Sequence, residues 1–148
     1  MAERPLILVV EDEYLLQTDV LHALGKAGFE AHGVFSGEEA LEAFANLPYE
    51  ALITDARLGD GLSGWEVARR IREKDRTFPV IYLTASAVAE WASEGVPDSI
   101  LIPKPYVTAP LMAALSRLLT ARIEADASTG ATSSADAPNA RDGPGGEM

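Results

Sequence analysis

The sequence predicts an α/β protein built on a doubly wound, five-stranded parallel sheet. Short runs of apolar residues alternate with stretches whose apolar residues recur every three or four positions, in five β-α units with short connections. The run LILVV (6–10) is apolar at every position, which is typical of a strand buried on both faces of a parallel sheet. Such alternation places helices on both faces of the sheet.

The first two units follow one another closely. After LILVV, apolar residues at helical spacing predict a helix over 14–27, and Gly28 is a typical helix stop. A short, edge-like strand is predicted at 30–34. The sequence SGEE, beginning at Ser36, is a capping box that opens a helix running to about Leu47.

The other three units show the same pattern. Their strands are predicted at 51–54, 80–84 and 100–102, and their helices at 65–74, at 86–94 and from Thr108 onward. Short connections between these elements favour one continuous domain over residues 1–124.

Composition excludes several classes of protein. The chain has 148 residues, 47% of them hydrophobic, which suffices for one globular core. Its net charge of −11 argues against direct nucleic-acid binding, because phosphate backbones require Lys and Arg. The absence of cysteine excludes disulfides and thiolate chemistry. No signal peptide or membrane span is evident, so we expect a cytoplasmic protein without membrane contact.

The end of the chain differs in composition. Residues 125–148 are small, polar and rich in Gly and Pro, and they lack apolar periodicity. We expect a flexible tail there and no output domain.

Polar residues stand where the predicted strands end. Glu11 and Asp12 follow the first strand, Asp55 the third, Thr84 ends the fourth and Lys104 follows the fifth. Ligands of doubly wound sheets bind beyond these carboxyl ends. Three crowded carboxylates repel one another unless a cation compensates, and oxygen ligands alone favour a hard ion such as Mg²⁺. Lysine and hydroxyl donors suit a tetrahedral dianion, so Asp55 is a candidate nucleophile for phosphoryl transfer.

These strand-end residues, in the contexts VVEDE, LITDARL, YLTAS and IPKPY, resemble those of bacterial two-component response regulators, in their receiver (CheY-like) domain. The resemblance runs from about Leu6 to Ile123 and implies the flavodoxin-like strand order 2-1-3-4-5. It implies that Asp55 accepts the phosphoryl group, that Lys104 and Thr84 bind the phosphoryl oxygens, and that the Lys104–Pro105 bond is cis.

The resemblance also implies further roles near the site. Glu11 and Asp12 would hold Mg²⁺ together with Asp55, and the backbone carbonyl of Arg57 would complete the protein ligands. Ala85 would be the small residue beside the switch hydroxyl.

The sequence departs from the family at two places. Gly59 stands where the loop after the phosphoacceptor usually carries proline, and Leu101 stands where the switch aromatic is usual. The signalling face of the fourth helix, fifth strand and last helix is therefore expected in place but altered in detail. Tyr106 and Trp91 belong to this region, and Trp91 is either a cover of the core or an anchor for a partner.

The stretch GDGLSG (59–64) matches G-x-G-x-x-G, a dinucleotide-binding fingerprint. That fingerprint belongs directly after a first strand, with an acid at the end of the next one. Here it follows the third strand after a gap, and the next strand ends in Thr84. We therefore expect the glycines to form a mobile loop beside Asp55, with Gly64 helping to start the following helix.

The favoured hypothesis is a single-domain response regulator. A histidine kinase or histidine phosphotransfer protein would phosphorylate Asp55, and the change would alter binding to a downstream protein. The chain would assist its own phosphorylation and dephosphorylation but would not be an enzyme with an independent substrate. The alternatives are a phosphorylation-independent adaptor and a flavodoxin-like FMN binder, which the acidic pocket disfavours.

Overall fold

The computed structural model describes residues 4–85 and 88–133 and contains the predicted sheet. Its five strands are all parallel and lie in the order β2-β1-β3-β4-β5. The strands are β1 (Leu6–Val10), β2 (Glu30–Val34), β3 (Ala51–Thr54), β4 (Val80–Thr84) and β5 (Ile100–Pro103). Both the fold class and the strand order expected from the sequence are confirmed.

The helices alternate with the strands. They are α1 (Tyr14–Lys26), α2 (Gly37–Asn46), α3 (Gly64–Lys74), α4 (Val88–Glu94) and α5 (Thr108–Ser133). Ser36 and Ser63 cap α2 and α3, because each hydroxyl accepts a hydrogen bond from the amide three residues on, at 3.1 Å. The first two residues of the predicted fourth helix, 86 and 87, lie outside the described residues.

The three central strands, β1, β3 and β4, are buried on both faces of the sheet, whereas the edge strands β2 and β5 are partly exposed. Leu8 and Val10 of β1 pack with residues of α2 and α3, and Ala40 and Ile71 are fully buried in this cluster. Because side chains alternate along a strand, Ile7 and Val9 point to the opposite face, toward the second layer of helices. Buried residues of α1 and α5 include Val20, Leu24, Leu111 and Leu115.

The chain divides into two compact units, one ending at Ser116 and one beginning at Arg117. Helix α5 continues past Glu124, the predicted end of the domain, as far as Ser133. The continuation has a simple physical reason: ARIEADA (121–127) consists mainly of good helix formers. The flexible tail stays a prediction for residues 134–148, which lie outside the description. Within the described ranges, no helix is both long enough and apolar enough to cross a membrane.

Candidate phosphoacceptor site

The pairing of β1 with β3 brings two of the predicted acids side by side. Val10 lies opposite Thr54 in this pairing, so Glu11 and Asp55 leave adjacent strands at the same level. The Asp55 amide donates to the Val10 carbonyl at 3.0 Å and extends the ladder by one hydrogen bond. The position of Asp55 is therefore set by backbone pairing rather than by loop conformation.

The pairing of β4 with β5 places the lysine at the same edge. Thr84 lies opposite Pro103, and the Lys104 amide donates to the Thr84 carbonyl at 3.0 Å. Thr84 is 1% exposed. The Lys104–Pro105 bond is cis, as the resemblance implied.

Three carboxylates converge at this edge. Glu11, Asp12 and Asp55 each offer an oxygen, and these atoms lie within 4.8 Å of one another. Glu11 is 2% exposed and Asp55 9%, whereas Asp12 is exposed to solvent. Like charges this close destabilise one another unless cations offset them.

Lys104 supplies one of these cations. Its ammonium Nζ lies 2.8 Å from Asp55 Oδ2 and 3.0 Å from Glu11 Oε1. Burial lowers the pKa of Lys104, but the bonds to Asp55 and Glu11 outweigh burial and leave the pKa above its ordinary value. The lysine is therefore firmly protonated and points at the carboxylate that is the candidate nucleophile.

Only one of the two carboxylate oxygens of Glu11 accepts a hydrogen bond of good geometry. Its Oε2 accepts a hydrogen bond from the Glu13 amide at 3.0 Å. Its Oε1 is buried and, although near Lys104, accepts no hydrogen bond of good geometry. Burial raises the pKa of Glu11 above its ordinary value of 4.5, even though Lys104 and the Glu13 amide act in the opposite direction.

The donor set fits a hard divalent cation. All the converging atoms are carboxylate oxygens, which Mg²⁺ prefers. The buried Glu11 Oε1 accepts no hydrogen bond of good geometry, and three acids face a single lysine. A cation at this edge would give Glu11 Oε1 a partner and would offset the excess negative charge.

Sequence reasoning missed Gln17, which positions the first acid. This buried side chain on α1 donates from Nε2 to the Val34 carbonyl at 2.7 Å and to the Glu11 carbonyl at 3.2 Å. It also packs against the backbone of Gly33, where a Cβ would collide with the amide group. A polar residue on the buried stripe of a predicted helix was the only available signal.

The glycines of GDGLSG are accounted for by contacts within the chain. A Cβ on Gly64 would collide with the backbone carbonyl of Asp55, and one on Gly61 would collide with the Glu38 carboxylate. Glu38 Oε2 also accepts from the Leu62 amide at 3.1 Å. Gly59 has a φ of +73°, a backbone region that favours glycine. These glycines therefore serve the loop next to Asp55, as the sequence indicated.

Arg57 contacts both the site and α4. Its amide lies 3.2 Å from Asp55 Oδ1, to which it donates. Its guanidinium donates to Glu90 Oε1 at 2.6 Å across the loop. No contact bears on the use of its backbone carbonyl as a metal ligand, which stays a prediction.

The other predicted residues surround this edge without touching the acids. Leu101 is partly buried and packs against the core cluster. Tyr106 lines a surface cavity with Asp19 and Thr108, where burial, reinforced by Asp19, raises the pKa of its phenol. Ala85 is exposed directly after β4.

Trp91 lies on α4, one residue after the partner of Arg57. It is 36% exposed, and its indole Nε1 donates to Ser99 Oγ at 2.9 Å. The Ser99 hydroxyl in turn donates to the Val96 carbonyl at 2.6 Å. Trp91 thus links α4 to the segment before β5 while showing one edge to solvent.

Comparison with known families gives a consistent result. Residues 7–116 match the family of the response regulator receiver domain. The transcriptional regulatory protein QseB of Escherichia coli O157:H7 is 34% identical over 116 residues, which is 76% of this chain and 52% of that protein. The phosphate regulon transcriptional regulatory protein PhoB of Rhizobium meliloti is 36% identical over 122 residues, 78% of this chain and 52% of that protein. The chain thus spans about half the length of these relatives.

Solved structures agree. A response regulator receiver protein from Sinorhizobium medicae superposes with a TM-score of 0.78 and 41% identity, over 81% of this chain and 98% of that one. The chemotaxis response regulator CheY4 of Vibrio cholerae superposes with a TM-score of 0.70 and 25% identity, over 78% of this chain and 98% of that one.

Proposed function

Because the chain belongs to the response regulator receiver domain family, we propose that it accepts a phosphoryl group on Asp55 and signals through altered contacts with a downstream protein. The donor would be a histidine kinase or a histidine phosphotransfer protein in the cytoplasm. One observation carries the proposal: the Asp55 carboxylate, with its Oδ2 2.8 Å from Lys104 Nζ, lies in a cluster of acids at the carboxyl edge of the sheet.

The transfer step follows from the chemistry of the side chains. A carboxylate oxygen of Asp55 attacks the phosphorus of a phosphohistidine, the new O–P bond forms as the N–P bond breaks, and the leaving imidazole takes up a proton. Lys104 is already at the carboxylate and can bond to the phosphoryl oxygens as negative charge moves onto them. The Thr84 hydroxyl, at the same edge, would supply a further donor.

Glu11, Asp12 and Asp55 would together hold a Mg²⁺ ion. Bound there, the ion would neutralise charge on the phosphoryl oxygens and relieve the repulsion among the acids. Hydrolysis of the acyl phosphate by water would return Asp55 to its free carboxylate, so the chain assists reactions of its own phosphoryl group and has no independent substrate.

The test is the intact mass of the protein after incubation with Mg²⁺ and acetyl phosphate. We expect one phosphoryl adduct on the wild type, no adduct on Asp55→Asn, and loss of the adduct when a chelator is added. Asp60→Asn is the matched control, because Asp60 is an exposed acid of the same loop, and this variant should keep the adduct. An adduct on Asp55→Asn, or none on the wild type even with a panel of kinases, would contradict the proposal.

A further inference from the structure

Arg57 is placed to link the charge on Asp55 to the position of α4. Its backbone amide donates to Asp55 Oδ1 at 3.2 Å, so its backbone contacts the proposed phosphoacceptor directly. Its side chain leaves the site and ends on Glu90 Oε1, 2.6 Å away in the first turn of α4. The same residue thus contacts the site through its backbone and α4 through its side chain.

The ion pair between Arg57 and Glu90 is weak enough to exchange. The two side chains are 59% and 45% exposed, and exposed pairs of this kind contribute little because water screens them and long side chains lose entropy. A guanidinium on a flexible stem can leave such a partner when a stronger anion arises nearby.

Phosphorylation creates that anion. A phosphoryl group adds a charge of about −1.5 to −2 and three strong acceptor oxygens. Arginine binds phosphate oxygens through two parallel, charge-assisted hydrogen bonds. Lys104 is already shared between Asp55 and Glu11, so the new phosphoryl charge would still attract a further cationic side chain nearby.

We propose that Arg57 exchanges Glu90 for the phosphoryl group when Asp55 is phosphorylated, which releases the first turn of α4. The inference rests on the proposed function and identifies a residue that couples the phosphoryl group to the signalling face. The last turn of α4 has a backbone contact that the first-turn pair lacks, because Arg69 of α3 donates to the Glu94 carbonyl at 3.2 Å as well as to its carboxylate at 3.1 Å. In this proposal the first turn of α4 moves while the last turn keeps its contacts with Arg69.

The test is the affinity of the full chain for beryllium fluoride, a phosphoryl mimic that binds the aspartate, measured by calorimetry in excess Mg²⁺. The proposed exchange predicts that substitutions of Arg57 and Glu90 change this affinity in opposite directions. Glu90→Gln removes a competitor and raises the affinity about two- to fivefold, the size expected of one exposed ion pair. Arg57→Gln removes a contact with the mimic and lowers the affinity by at least as much.

Two further variants complete the design. In an Arg57→Gln background, Glu90→Gln has no further effect, because Glu90 acts only through Arg57. Glu94→Gln makes the same charge change on the same helix but at the pair with Arg69, and it leaves the affinity unchanged.

Changes of the same sign in Arg57→Gln and Glu90→Gln would overturn the exchange, since both variants would then merely loosen α4. A Glu90→Gln effect that persists without Arg57 would also overturn it, by pointing to a general field effect. A wild type that binds no beryllium fluoride would overturn the proposed function as well, whereas the first two results leave that function standing.

Discussion

At the scale of single residues, Gly64 shows how backbone packing supports the site. The Gly64 amide donates to the Ala56 carbonyl at 2.9 Å, and its Cα lies against the carbonyl of Asp55, with no room for a side chain. The start of α3 can therefore pack directly against the backbone of Asp55, the proposed phosphoacceptor. A larger residue would have to displace the backbone of Asp55.

We predict that Gly64→Ala destabilises the fold by about 1–3 kcal/mol, as overpacking of an interior does, and slows phosphorylation of Asp55 by displacing it. Gly25→Ala is the control, because a Cβ there meets nothing within 4 Å; alanine inside α1 should stabilise the fold by up to about 1 kcal/mol. Urea denaturation measures both. Equal stability of Gly64→Ala and the wild type would contradict the packing argument.

At the scale of elements, α1 is joined to the sheet by a polar contact as well as by apolar packing. Gln17 donates to the carbonyl of Val34, which ends β2, and to that of Glu11, directly after β1. The helix and the two strands therefore share one hydrogen-bonded junction directly below the acidic residues. Any loosening of this junction shifts the backbone that carries Glu11.

We predict that Gln17→Leu lowers the free energy of unfolding by about 1–3 kcal/mol. The Glu11 carbonyl loses its buried donor, and the Val34 carbonyl loses the 2.7 Å bond from Gln17 while keeping the 3.1 Å bond from the Glu11 amide. Mg²⁺ binding should weaken with it. Thr18→Ala is the control, since Thr18 is exposed and bonds only within its own helix. A Gln17→Leu variant that is as stable as Thr18→Ala in chemical denaturation would show that the junction contributes little.

At the scale of the whole molecule, the acidic edge lowers the stability that the metal-free fold can reach. Burial raises the pKa of Glu11, so the folded state binds this proton more tightly than the unfolded state. Stability then falls as the pH rises from about 4.5 through the folded-state pKa. Lys104 acts in the other direction at alkaline pH, since its raised pKa gives stability that is present below 10.5 and lost above its folded-state pKa.

We predict that Glu11→Gln is more stable than the wild type at neutral pH in the presence of a chelator, because a buried charge is removed without loss of shape. The same variant should bind Mg²⁺ roughly tenfold or more weakly, since even outer partners of a metal have effects of this size. Thermal unfolding with chelator and with Mg²⁺ measures both effects. Glu13→Gln is the control, as its side chain is exposed. Loss of stability on Glu11→Gln in chelator would refute the burial argument.

The sequence was sufficient for the sheet and for which residues lie at its edge. The strands are short, apolar runs between clear breaks, and residues that end parallel strands must meet at one edge. What could not be predicted depends on side-chain reach across the fold: the bonds of Gln17, the support of the loop by Glu38 and the pair of Arg57 with Glu90. The helical conformation of residues 125–133, which were predicted as part of the tail, was missed because composition alone does not separate a polar tail from a solvated helix.

The indole of Trp91 is an intrinsic fluorophore on α4. Its Nε1 bond to Ser99 and its partial exposure make its emission depend on where α4 sits. The other tryptophan, Trp65, is buried in the core against Tyr82, with ring centroids 4.6 Å apart. Under the proposed exchange, Trp91 would move with α4 while Trp65 would serve as an internal reference, so rapid-mixing fluorescence would time the movement in the unmodified protein.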